Sequence, residues 1–254
     1  MLVTGSVEIE PDGRTSRVSI DKPEALGVGV VNMIEKQSRD WKFEPIVVDG
    51  RARPARAAMT LRMVAKKLDA DRYSVEIRSA SFGSDESQPG HSVEVLTLPP
   101  PRYPREAVES RVTGTVYLLV RIGRDGKVLD AIAEQTNLRI VSYDNDMIRF
   151  RRVLEKSSLS AARNWTFKPP TQGESAEQPS WFVRVPVDFT LSGGRVASYG
   201  EWDAYIPGPH SPAPWVSAKD LMAGGADAIA NGGLYQLGSG LRLLTPLGPL
   251  GPPG

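Results

Sequence analysis

Trp181-Phe182-Val183-Arg184-Val185-Pro186-Val187-Asp188-Phe189-Thr190-Leu191 decides the fold. Trp181, Val183, Val185, Val187, Phe189 and Leu191 alternate with Phe182, Arg184, Pro186, Asp188 and Thr190. Period two with one apolar face predicts a β-strand half-buried against a core. Pro186 has no N–H, so the strand belongs at a sheet edge, or that position faces outward. Upstream, Gly114–Ile122 alternates in the same way, with Val116, Leu118, Val120 and Ile122 on one face. Arg124-Asp125-Gly126 follows, and Asp-Gly favours a tight hairpin turn because glycine accepts positive φ. Lys127–Glu134 returns as the second arm, with Val128 and Ile132 read as inward. Between this hairpin and the last strand, Leu154, Ser158, Ala161, Ala162 and Trp165 share one helical face, which predicts a helix over Arg151–Thr166. Lys168-Pro169-Pro170 stops it. Tyr103-Pro104-Arg105-Glu106-Ala107-Val108 suits a short helix with proline in its first turn. The order is α-β-β-α-β.

The first third of the chain repeats this plan. Trp41-Lys42-Phe43-Glu44-Pro45 matches Trp165-Thr166-Phe167-Lys168-Pro169, and Asp12-Gly13 matches Asp125-Gly126. With the tryptophans superposed, Ala57, Met59, Leu61 and Met63 fall on Trp181, Val183, Val185 and Val187. With the turns superposed, Val3, Val7 and Ile9 fall on Val116, Val120 and Ile122. The second copy is longer between turn and tryptophan, and the extra length is expected around Leu138–Arg149. Beyond the turn, Val18 and Ile20 fall one position off the inward set of the second copy. A bulge or a one-residue shift accounts for this. The first copy lacks the opening helix and gains a strand, Arg72–Phe82, expected to pair with Leu61–Lys67 through Asp69-Ala70-Asp71. Trp41 and Trp165 read as core residues, since burying a large aromatic removes about 150–250 Å² from water.

The fold class is therefore α+β: two β-β-α-β units, each a small antiparallel sheet packed on one helix, followed by an irregular C-terminal arm. Residues 1–82 are expected to form the first unit, 83–98 a linker containing Gly83-Ser84-Asp85-Glu86-Ser87-Gln88-Pro89-Gly90, 99–192 the second unit, and 193–254 a Gly/Pro-rich tail. In that tail Trp202, Tyr205 and Trp215 stand among prolines, as in an extended arm, and Leu247–Gly254 reads as disordered.

Composition narrows the function. The chain has 254 residues, 31 Lys+Arg against 30 Asp+Glu, two histidines and no cysteine. A net charge of +1 gives no basic footprint for nucleic acid. The missing cysteines exclude disulfides, thiol catalysis and thiolate metal sites. Gly27-Val28-Gly29 lacks the third glycine of a dinucleotide fingerprint, because position 32 is Asn. Asp144-Asn145-Asp146 is followed by Met147 and Ile148, not by the rest of a calcium loop. His91 and His210 lie in Gly/Pro-rich stretches, and no nucleophile-base-orienter set is apparent. No catalytic, cofactor or metal site is expected. Arg51, Arg53 and Arg56 read as a solvated hairpin loop. No run approaches the roughly 18–20 apolar residues of a membrane helix, and no signal peptide is seen. The chain starts inside a folded element, so a start further upstream is expected.

The second unit resembles the C-terminal domain of the TonB family of cell-envelope proteins. The matching pieces are Tyr103-Pro104 with Ala107, Gly114-Thr115-Val116, Asp125-Gly126-Lys127-Val128, Ala161-Ala162-Arg163-Asn164-Trp165-Thr166-Phe167-Lys168-Pro169, and Val185-Pro186-Val187-Asp188-Phe189-Thr190-Leu191. The first unit matches more weakly. The resemblance implies a periplasmic or envelope location and capture of an extended segment, the TonB box of outer-membrane receptors, as a strand beside the last strand. It also implies coupling to an inner-membrane energising complex. The partner-binding residues it implies are Arg102, Tyr103, Pro104, Phe182, Arg184, Val185, Val187, Asp188 and Phe189. An unpaired strand edge supplies the physical means, because its N–H and C=O groups accept an added strand. The alternative is a structural module whose edges are satisfied by its own repeats or by a homodimer.

Overall fold

Asp12-Gly13 and Asp125-Gly126 turn the chain in the same way, and a four-stranded antiparallel sheet grows from each. The computed structural model describes residues 1–70, 72–84, 89–194, 197–216, 225–230 and 232–247. The first sheet contains β1 (Leu2–Ile9), β2 (Thr15–Ile20), β5 (Ala55–Lys67) and β6 (Tyr73–Ser84), in the order β2-β1-β5-β6. Helix α1 (Val28–Ser38) and a small ribbon, β3 (Ile46–Val48) and β4 (Arg51–Arg53), lie between β2 and β5 in sequence. Val3, Val7, Ile9, Ala57, Met59, Leu61 and Met63 are buried with Ile34 of α1. Trp41, Phe43 and Phe82 meet edge to face, with centroids 4.9–6.5 Å apart. Strand β6 pairs with β5 from Lys67–Tyr73 to Ala57–Ser84, as the alternation predicts.

The second sheet follows β7 (Glu94–Thr97) and α2 (Arg105–Glu109). It contains β8 (Gly114–Gly123), β9 (Val128–Leu138), β11 (Ser180–Phe189) and β12 (Tyr235–Gln236), in the order β12-β11-β8-β9. Between β9 and β11 come α3 (Asp144–Ala162) and β10 (Thr166–Lys168). One face of the sheet presents Val116, Leu118, Val120, Ile122, Trp181, Val183, Val185, Val187 and Phe189 to Met147, Phe150, Leu154 and Ala162 of α3. The strand order of the first sheet, hairpin partner to added fourth strand, recurs here.

The same tie holds each helix-strand connection to its turn. Phe43 N–H donates to Gly13 C=O at 2.7 Å, and Phe167 N–H to Gly126 C=O at 2.8 Å. Each aromatic is buried, at 0% and 1% exposure, so the turn is fastened to the core. Trp41 and Trp165 are both core residues, 3% exposed.

Four expectations change. Helix α3 begins at Asp144, not Arg151, and ends at Ala162. Asp144 and Asp146 occupy its first turn, where carboxylates favour the positive end of the helix dipole. The extra length of the second unit is thus a longer helix and a longer β9. Ile132 faces away from the helix, because Ile122 pairs with Val128 while Arg121 pairs with Asp130, leaving Leu129 as a bulge. Val128, Ala131 and Ala133 pack on the helix-side core, and Ile132 packs on the other side. The first hairpin carries a register shift at the matching place, between Glu8 and Ile9, so Val18 and Ile20 fall in with Ala131 and Ala133. The stretch expected as a linker holds β7, which pairs with β10, while residues 85–88 lie outside the described residues.

The tail, finally, is not loose where it is described. Ala213, Val216, Ile229, Tyr235 and Leu237 bury Leu119 on the outer face of the second sheet. Leu241 joins the core of the first sheet. The expected disorder of Leu247–Gly254 falls, beyond Leu247, outside the described residues. Arg51 and Arg53 are exposed on the β3–β4 ribbon, but Arg56, expected in the same loop, belongs to β5, where an Nη donates to the Ser6 hydroxyl at 3.2 Å.

Candidate functional site

β11 pairs with β8 without interruption, from Ser180–Gly123 to Phe189–Gly114. Its other edge is the one a partner strand could use. Leu237 N–H donates to Phe182 C=O at 2.9 Å from that side. Backbone groups alternate sides along an antiparallel strand, so Phe182, Arg184, Pro186 and Asp188 direct theirs away from β8. The missing N–H of Pro186 therefore removes no bond to β8. Val183 and Arg184 face Gln236 and Tyr235 of β12, which occupies the first half of the edge. Beyond Arg184 no strand pairs with this edge among the described residues.

The side chains expected at a partner site divide into three groups. Val185, Val187 and Phe189 are buried on the helix-side core. Tyr103 meets Phe189 edge-on, centroids 5.4 Å apart, and donates its hydroxyl to Val112 C=O at 2.6 Å. Pro104 caps α2, Arg102 is exposed, and its carbonyl accepts the Ser157 hydroxyl of α3. These three residues and the end of β11 are therefore brought together. Phe182 and Arg184 lie on the opposite face, under the tail. Phe182 stacks on Trp215 at 5.4 Å. Arg184 is fully buried and grips Glu134 bidentately, Nε to Oε2 at 2.7 Å and an Nη to Oε1 at 2.9 Å. His210 Nε2 lies 3.0 Å from the same carboxylate. Asp188 accepts from Thr115 at 2.7 Å and from Arg139 at 2.6 Å, so its carboxylate is held within the protein.

A cleft of about 300 Å³ opens beside the strand end. Arg62, Tyr117, Arg139, Tyr199, Asp203 and Tyr205 are among its walls. Arg62 joins the two sheets and the tail: an Nη donates to Tyr117 Oη at 2.9 Å and to Asp227 C=O at 2.7 Å. The Asp227 carboxylate accepts from Ser79 at 2.6 Å. Burial, and then the Asp227 charge, push the Tyr205 phenol up from 10 to about 12. Below pH 10 this phenol is protonated in both folded and unfolded chains, so its full contribution is present. Between 10 and 12 the unfolded chain ionises first, and stability falls. Tyr205→Phe is expected to lessen that alkaline loss, read as the change in urea midpoint above pH 10. An unchanged alkaline slope would remove Tyr205 as its source.

Sequence reasoning missed Glu134 and the strand Tyr235–Gln236. The signal for the strand was an apolar-polar-apolar run, Tyr235-Gln236-Leu237, set between Gly233 and Gly238. Glu134 left none, being one acid among many. No group of metal-ligating side chains and no helix long and apolar enough to cross a membrane occurs among the described residues.

Residues 99–191 match the family model for the Gram-negative bacterial TonB protein C-terminal. This segment is similar to TonB C-terminal domains. It runs from the residues before α2 to the end of β11, so β12 lies outside it. Over 105 residues the chain is 30% identical to Protein TonB of Xanthomonas campestris pv. campestris (strain B100), covering 41% of each chain. Over 104 residues it is 28% identical to Protein tonB2 of Pseudomonas aeruginosa, covering 41% of this chain and 33% of that one. The chain thus spans well under half the length of these TonB relatives. No solved structure matches it.

Proposed function

We propose that this is a TonB-like cell-envelope protein that binds extended peptide segments, such as the TonB boxes of outer-membrane receptors, by strand addition along β11, in support of transport across the outer membrane. One observation carries the reading: the outer edge of β11 already accepts an antiparallel segment, the chain's own β12. That pairing supports the edge as a place for strand addition. Small contacts of this kind, below about 1,200 Å², give modest and reversible affinity, which suits a docking step. The first sheet is a divergent copy of the domain, supported by its strand order and by the Gly13–Phe43 tie. An inner-membrane energising complex is the partner that would supply force.

Amide-shift titration of the full chain with N-terminal peptides of outer-membrane receptors tests this. Shifts are expected at Asp188, Phe189 and Tyr103. A folded chain with no shift there at millimolar peptide would sink the proposal.

The second reading is a structural or self-associating envelope module. It is favoured by the way the tail meets both edges of the second sheet, through β12 on β11 and through Ile206 on Leu138 of β9. Sedimentation with amide exchange separates the two: a tight dimer with β11 protected from exchange supports the module, and a monomer with an exchange-labile β11 supports capture.

A further inference from the structure

Three residues of the tail do on β11 what a captured peptide would do. Gln236 faces Val183, Tyr235 faces Arg184, and Leu237 N–H bonds Phe182 C=O at 2.9 Å. Alternation sends their side chains to opposite faces of the sheet. Tyr235 and Leu237, 7% and 8% exposed, fill the outer-face cluster with Leu119, Val216 and Ile229. Gln236 turns to the helix side, where its Oε1 accepts the Val93 N–H at 2.7 Å. That donor is buried, and a buried N–H without an acceptor is costly, so the position prefers an amide side chain.

The segment is short and lies between glycines. Gly232 and Gly238 both take φ +78°, with open space where a Cβ would stand. Two bridged residues between such joints open far more readily than the ten-residue ladder on the other side of β11.

From this we infer that Tyr235–Leu237 is a resident ligand of the docking edge. The edge selects antiparallel segments in which an amide side chain stands between two apolar ones. An arriving segment must displace the resident strand, so the tail sets the threshold for capture. This inference rests on the strand-capture reading above.

The test uses the full chain, its Leu237→Pro and Gln236→Ala variants, and two labelled peptides. One peptide copies residues 232–240; the other is a receptor N-terminal peptide. Leu237→Pro deletes the N–H that bonds Phe182 and frees the edge. The copied peptide is expected to bind this variant at least about 10-fold tighter than the parent, as removal of a competing closed state requires. Gln236→Ala keeps the backbone intact and guards against a proline variant that fails to fold; a gain of about 3-fold is expected. A copied peptide carrying Ala in place of its glutamine is expected to lose most of its binding. Equal affinity of the copied peptide for all three folded proteins overturns the inference. Equal binding of the receptor peptide to all three also overturns it, but leaves strand capture standing. Tighter binding of the copied peptide alone, with no receptor peptide bound, supports the resident strand and removes the receptor function.

Discussion

Arg184→Met is expected to destabilise the chain by about 3–5 kcal/mol, the usual cost of removing one partner from a buried ion pair. Both Arg184 and Glu134 are fully buried, and their two hydrogen bonds are 2.7 and 2.9 Å long. Glu134 sits at a bulge of β9, between the pairs Ala133–Leu118 and Gln135–Tyr117, which turns it toward Arg184 on the next strand but one. Without the guanidinium its carboxylate stays buried and lacks its main counter-charge. Replacing both, as Arg184→Met with Glu134→Leu, should cost less than either single change, because no charge is then stranded. Urea unfolding followed by tryptophan fluorescence reads both effects. If the double variant were the least stable of the set, shape rather than charge would govern the site.

Gly126→Ala is expected to cost about 2–3 kcal/mol or more. Placing an alanine at φ +75° costs about 1–2 kcal/mol, and losing the Phe167–Gly126 hydrogen bond about 1 kcal/mol more. The new Cβ would collide with the Phe167 carbonyl oxygen, and Phe167 is anchored in the core, so backbone must move. Gly126→Asn should fare no better. Asparagine tolerates positive φ, but its Cβ meets the same carbonyl. Rescue by asparagine would instead place the cost in the torsion alone. Gly13→Ala should behave likewise in the first sheet, where the Cβ would collide with the Phe43 carbonyl oxygen. Matched losses at the two glycines are what the proposal of a divergent copy in the first sheet requires.

Much of this architecture is written locally. Alternation along Trp181–Leu191, the Asp-Gly turns and the Trp-x-Phe-x-Pro segments each reflect a short-range constraint: face, turn angle, or exit from a helix. They placed the strands and the turns. What stayed hidden depends on neighbours far along the chain. The bulge at Leu129 turns Ile132 away from the helix, although its spacing from Val128 suggests one face. Arg184 alternates as a surface residue should, yet it is buried because the tail and Glu134 meet it from elsewhere. The edge of β11 was legible from Pro186; its occupant was not, since two residues amid glycines carry too little periodicity to announce a strand. Of the residues expected at a partner site, Tyr103 and Phe189 do come together, whereas Phe182 and Arg184 belong to the face beneath the tail.

Strand addition leaves a signature that other binding modes do not. With the chain isotope-labelled and a receptor N-terminal peptide unlabelled, intermolecular contacts between backbones can be read by isotope-edited NMR. The peptide backbone should touch the even-numbered positions of β11, Arg184 and Asp188 above all, and skip Val185 and Val187, whose backbone groups face β8. Contacts at every residue alike, contacts on β6 or β9, or none along β11 would contradict capture at this edge.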